Sequence, residues 1–117
     1  MSVTRRLSHD EMELYFDNFS KHFLRDATTD VADVEVLLPD LGDQYVAEGA
    51  HLTGITYNRQ NKELDIELDG ADHRAVRPKE VWALEDDDGF VRAIEIVRDD
   101  DTKEIVRVKR LGVSRAD

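Results

Sequence analysis

The sequence has no cysteine, two prolines, six glycines and one tryptophan, and aromatic residues make up only 7% of it. Without cysteine there are no disulfides and no thiolate metal ligands, which agrees with a reducing cytoplasm. No apolar stretch approaches the ~20 residues that span a bilayer. The opening MSVTRRLSHDEM holds no apolar run of the signal-peptide kind. A soluble, cytoplasmic protein with no membrane association is the expectation. The 117 residues leave no room for a second core of ordinary size, so 1–117 reads as a single domain.

What the chain has in excess is acid. Twenty-seven Asp and Glu face sixteen Lys and Arg, a net charge of -11, and only five of the cations are lysines. A field of that sign repels phosphate backbones and anionic lipid, which disfavours generic nucleic-acid binding. The excess is uneven. Lys103, Arg107, Lys109, Arg110 and Arg115 stand against Glu104 alone within residues 103–115, a local +4 that leaves -15 for the remainder.

The clearest element is a helix over about residues 9–24. Ser8 and Glu11 have capping-box spacing, and Leu7 and Met12 flank the box as a hydrophobic staple would. Met12, Tyr15, Phe16, Phe19 and Phe23 then form one stripe at a 3.6-residue period. After Asp30 the period switches to two. Val34, Val36 and Leu38 suggest a strand, Tyr45–Glu48 a weaker one with a bulge or bend at Gly49, and Leu52, Ile55 and Tyr57 another. Leu64, Ile66 and Leu68 alternate with Asp65, Glu67 and Asp69 without a fault, the pattern of a half-buried strand. His73–Arg77 is a short strand cut by Pro78. Val81–Glu85 and Phe90–Arg98 flank an Asp-Gly hairpin signal, and Ile105–Val108 ends the series before a frayed tail at 111–117.

Such connections are too short for parallel crossovers, so the sheet is antiparallel. The expected fold is α+β: an N-terminal amphipathic helix packed on a β-meander over about 31–110. Five to seven strands bury best as a strongly bent sheet or a small SH3-like or Sm-like barrel.

The order of residues resembles a bacterial family of unknown function, domain of unknown function 5335. A Phe-x-x-Phe-Ser helix is matched by Phe16, Phe19 and Ser20, and a Val-Glu-Val segment by Val34, Glu35 and Val36. An Asp-Leu-Gly-x-Gln turn corresponds to Asp40, Leu41, Gly42 and Gln44. A Leu-x-Gly-Ile-Thr stretch corresponds to Leu52, Gly54, Ile55 and Thr56, and a His-x-x-x-x-Pro element to His73 and Pro78. The resemblance implies one compact domain. It brings no activity, cofactor or partner with it.

The candidate chemistry is thin. His9, His22, His51 and His73 show neither the i, i+4 spacing nor the His-x-His spacing that zinc favours, so no metal is expected. The Asp86–Gly89 and Asp99–Asp101 clusters lack the order of an EF-hand loop and read as turns. No serine sits in a nucleophile elbow, no glycine-rich loop cradles phosphate, and Asp65 and Glu67 lie on a wet face. No catalytic residue and no cofactor is assigned.

Trp82 shares parity with Leu84 and is expected in the core. His73 and Arg77 oppose Val76 in parity and are expected to point outward, while Arg107 and Lys109 oppose Val106 and Val108 on an edge strand. Those four residues, His73, Arg77, Arg107 and Lys109, form the candidate interaction surface. Acids of the Leu64–Leu68 strand are the expected partners of the last two. The leading expectation is a non-catalytic binding or structural accessory module working through protein contacts, with a protein partner or a homodimer. A small-barrel nucleic-acid binder and a small enzyme with a site near His73 are the alternatives.

Overall fold

The computed structural model describes residues 3–23, 31–40, 42–70, 72–87 and 90–109, side chains through Lys21 in the first of these. Leu24, residues 25–30, the Asp88-Gly89 half of the expected hairpin turn and the tail from 110 lie outside the described residues. The chain runs β1 (Val3–Leu7), α1 (His9–Phe23), β2 (Val31–Leu38), β3 (Gly42–Asn58), β4 (Glu63–Leu68), β5 (His73–Val76), β6 (Pro78–Glu85), β7 (Val91–Arg98) and β8 (Lys103–Lys109). All eight strands form one antiparallel sheet in the order β1-β6-β7-β8-β2-β3-β4-β5, curled into a half-barrel.

Three expectations are corrected. A strand precedes the helix, so α1 is not the first element; Val-Thr-Arg-Arg-Leu has no alternation to announce it, because four of its five residues are exposed. The strand count is eight rather than five to seven: the segments on either side of Gly49 are one strand of 17 residues, which makes seven after the helix, and β1 is the eighth. The sheet is also not one meander: β2–β5 and β6–β8 are two, joined where β8 pairs with β2.

The helix forms as its sequence directs. Glu11 Oε1 accepts from the Ser8 amide at 2.8 Å, and the staple pair Leu7 and Met12 is buried. Phe16 and Phe19 are 0% and 2% exposed, which puts the stripe in the core. The helix lies across the open side of the curl. Ser20 Oγ donates to the Ile55 carbonyl and accepts from its amide, both at 3.0 Å, while Tyr15 donates to Glu85 of β6.

β3 is the corner of the sheet. Sixteen steps at about 3.3 Å would run roughly 53 Å, yet the extent along the longest principal axis is 43 Å. The strand therefore bends, and it does so while changing partners. Residues 42–51 pair with β2 through two register shifts, and 52–58 pair with β4. Gly49, with φ +61, supplies the left-handed residue at the second shift, and its amide donates to Asp33 Oδ1 at 2.7 Å.

Replacing Phe16 or Phe19 by alanine is expected to cost about 3–5 kcal/mol, the range for large aromatic deletions in a packed core. Urea or thermal unfolding checks this, and an unchanged midpoint in both variants would show that the stripe is not core.

Candidate functional site

The register assigns the inner face residue by residue. One inner row runs Leu7, Val81, Ile96, Glu104, Val36, Gln44 across β1, β6, β7, β8, β2 and β3, placing a carboxylate between an isoleucine and a valine. Glu104 is 0% exposed. Its Oε1 lies 2.6 Å from His73 Nε2 and its Oε2 lies 3.3 Å from Arg98 Nη1. Arg98 also reaches Asp100 at 3.4 Å, and its Nε has no hydrogen-bond partner. His73 therefore does not point outward. It shares parity with Ala75, which is fully buried, and turns into the curl with it. The expectation used Val76 as the inner residue, but Ala75 is the one the core takes.

Arg77 stays at the surface as expected. It sits between β5 and β6 with φ +47, its amide donating to the Lys62 carbonyl and its carbonyl accepting from the Asp99 amide. Its Nε lies 3.0 Å from Asp99 Oδ2. His73 and Arg77 thus belong to one seam, where β5 meets the β7–β8 turn, with Arg77 exposed and His73 only 21% so.

Arg107 and Lys109 lie elsewhere, on the outer face of a strand that is central rather than an edge. Their partners are acids of β2, not of β4. Arg107 meets Glu35 at 2.6 Å, and Lys109 meets Asp33 at 3.0 Å. The acids of β4 turn instead to β5, with Asp65 at 3.0 Å from Arg74. Parity placed the charges on the correct face, but pairing between strands distant in sequence was invisible to it. The same limit accounts for Trp82. It shares parity with Leu84, but Val81 and Ala83 take the core, leaving Trp82 half-buried on the outer face with Arg6 over its ring at 5.9 Å.

The outer row through Trp82 runs Arg6, Trp82, Glu95, Ile105, Glu35, Tyr45. At its β3 end the protein opens to solvent. Asp43, Gln44, Tyr45, Val46 and Glu48 are all exposed, and Tyr45 and Val46 keep 52% and 51% of their surface. Among the described residues no strand pairs with the second edge of 42–50. Arg107 holds Glu35 below the ordinary carboxylate value, whereas hydrogen bonding to Glu35 pushes Asp43 up. Lys109 likewise lowers Asp33, and the Thr102 amide lowers Asp100.

Several depressions open on the described surface, and two of them adjoin elements already named. An open groove of about 440 Å³ lies between α1 and β3, lined by Glu13, Leu14, Asp17, Ser20, Ile55, Thr56 and Tyr57. A smaller one of about 180 Å³ beside His73 is lined by Asp65, Glu67, Asp72 and Arg74 as well. Among the described residues no group of three or more His, Asp or Glu is placed to hold a metal ion, and no helix is long and apolar enough to cross a membrane.

Sequence reasoning missed Glu104 and the β3 hairpin edge. The signal for Glu104 was present, since it shares parity with Val106 and Val108 and so belongs to the buried row. The free edge had no signal, because it depends on where β4 begins to pair.

Two outcomes follow from these charges. Replacing Glu104 by alanine leaves His73 and Arg98 without their buried acceptor, and a loss of about 3–5 kcal/mol in urea unfolding is expected; a loss under about 1 kcal/mol would mean that the pair is solvated. Acid should also unfold the protein through its depressed carboxyls. Asp33, Glu35 and Asp100 contribute stability that is fully present above their ordinary values of 3.8 to 4.5 and lost as pH falls through their lower folded values. Asp43, raised, acts in the opposite sense, its contribution being lost as pH rises through its folded value. Arg107→Met returns Glu35 toward its ordinary value, so the stability curve measured below about pH 4.5 should flatten; an unchanged slope contradicts the assignment.

Comparison with known proteins agrees with the motifs. Residues 3–113 match the family described as Family of unknown function (DUF5335). A protein of Aquifex aeolicus (strain VF5), named "Uncharacterized protein", is 32% identical over 108 residues, covering 92% of this chain and 93% of that one. No solved structure matches. With a family match across nearly its whole length and a relative of the same size, this chain belongs to the DUF5335 family.

Proposed function

We propose that the protein is a non-catalytic binding module that works through protein contacts. The observation that carries this reading is the hairpin half of β3, where Tyr45 and Val46 are held in solvent beside an edge that no described strand covers. Exposed apolar side chains along an open edge are where a partner gains both burial and main-chain hydrogen bonds. The same proposal takes the half-barrel as an SH3-like or Sm-like domain acting in the cytoplasm.

The ion pairs argue against the nucleic-acid alternative. Every described Lys and Arg other than Arg6 and Lys62 lies within 4.0 Å of a carboxylate oxygen. A phosphate backbone needs uncompensated cations and exposed stacking rings. The enzyme alternative rests on the imidazole of His73, which Glu104 orients as a buried carboxylate orients a catalytic histidine. The depression beside it, however, is lined by three acids and an arginine, with no serine, threonine, cysteine or lysine among them for the imidazole to activate.

Two measurements test the reading. Tyr45→Ser with Val46→Ser should leave unfolding within about 0.5 kcal/mol of wild type, as expected for exposed positions outside the core. Titration of labelled single-stranded RNA should show no salt-sensitive submicromolar binding, and such binding would overturn the proposal.

A further inference from the structure

Four large apolar side chains are exposed among the described residues: Val3, Leu14, Tyr45 and Val46. Three of them lie on two strand edges that face no described strand. Val3 is on β1, which ends the sheet and pairs only with β6, and Tyr45 and Val46 are on the hairpin half of β3. The two edges carry opposite charge. β1 holds Arg5 and Arg6 and no acid, whereas residues 42–48 hold Asp43 and Glu48 and no cation. Neither arginine is held in a close ion pair: Arg5 lies over the Tyr15 ring at 5.2 Å and reaches Glu11 only at 4.0 Å between half-exposed side chains, and Arg6 lies over the Trp82 ring at 5.9 Å. On β3, Asp43 faces Glu35, whose guanidinium partner Arg107 is already taken at 2.6 Å.

Like charges on an edge prevent that edge from pairing with its own copy, a common protection of exposed strands. The register shift around Val46 twists the β3 edge further from flat self-pairing. What these devices leave favourable is the unlike pair. We propose that the partner is a second copy of this chain, its β1 adding as a strand beside residues 42–48 of the first. The inference rests on the protein-contact reading and identifies the occupant. Such an interface is heterologous, so each copy keeps one free edge of either kind, and assembly continues into a closed ring or an open chain of molecules. Main-chain pairing supplies the affinity, Val3 is shielded beside Tyr45 and Val46, and the charges select the edge.

Light scattering on the full chain at physiological ionic strength tests this, with four preparations beside wild type. Wild type should grow in mass with concentration. Arg5→Glu with Arg6→Glu should lose that growth, because both edges are then acidic. Asp43→Lys with Glu48→Lys should lose it as well, because both are then basic. Mixing the two double variants should restore growth, since each offers the edge the other needs. The fourfold exchange in one chain should restore it too, at the same net charge of -11 as wild type (four charges lost and four gained). Net charge alone predicts the opposite for Asp43→Lys with Glu48→Lys, which lowers the repulsion. A wild type that remains monomeric up to its solubility limit overturns the proposal while leaving binding to another protein untouched. An assembly that neither double reversal weakens also overturns it. If the β1 variants unfold by circular dichroism, the β3 reversal decides alone, because Asp43 and Glu48 are exposed and lie outside the core.

Discussion

The structure depends on a one-residue link. β5 is the last strand in the sheet order and β6 the second, six steps apart, yet only Arg77 separates them in sequence. In a flat sheet six steps of about 4.8 Å would place them roughly 29 Å apart. Two peptide units span less than about 8 Å. The ladder can satisfy both conditions only by curling until its far end returns to β6. The left-handed conformation of Arg77 turns the chain at that point, and its main chain is held by Lys62 on one side and Asp99 on the other. Once the curl is required, one face becomes an interior, α1 covers the gap between β3 and β6, and the bend in β3 takes up the change of direction.

The same closure gives Glu104 its partners. His73 comes from β5 and Arg98 from the end of β7, and a carboxylate on β8 can meet both only across a curled sheet. A buried ion pair adds little net stability over an apolar replacement, because desolvation offsets most of the attraction. It is much less tolerant of misplacement than methyl groups are. A β5 displaced by one residue would turn His73 outward and leave Glu104 without its imidazole partner, so the cluster ties closure to a single register.

Local periodicity revealed most of the elements. The stripe from Met12 to Phe19, the faultless alternation of β4 and the Val106–Val108 parity are all borne out, because each depends only on neighbours along the chain. Parity failed where it needed to know which face was inner. A strand with few apolar residues, such as His73–Val76, or with apolar residues on both faces, such as Val81–Leu84, does not say so itself. Partner choice was beyond reach for the same reason. Arg107 opposite an acid could be read from the sequence, but that the acid is Glu35 rather than Glu67 follows from β8 joining β2, which places residues 72 apart in sequence side by side. The motifs of the family resemblance gain physical meaning only in three dimensions, where Ser20 of one closes the strand edge at Ile55 of another.

A net charge of -11 opposes contact between copies, but the distribution matters more than the sum. On the outer face the charges are largely spent in pairs, Arg107 with Glu35, Lys109 with Asp33 and Lys103 with Glu95. Acids also crowd the turns, at Asp86 and Asp87 and at Asp99 to Asp101. At physiological ionic strength the field is screened over about 8 Å, well short of the 29 to 43 Å dimensions of the molecule. Two copies approaching edge to edge therefore respond chiefly to the charges within the first few ångströms of the contact. Those are the arginines of β1 and the acids of the β3 hairpin, and their attraction at contact is compatible with the repulsion that keeps the other surfaces apart.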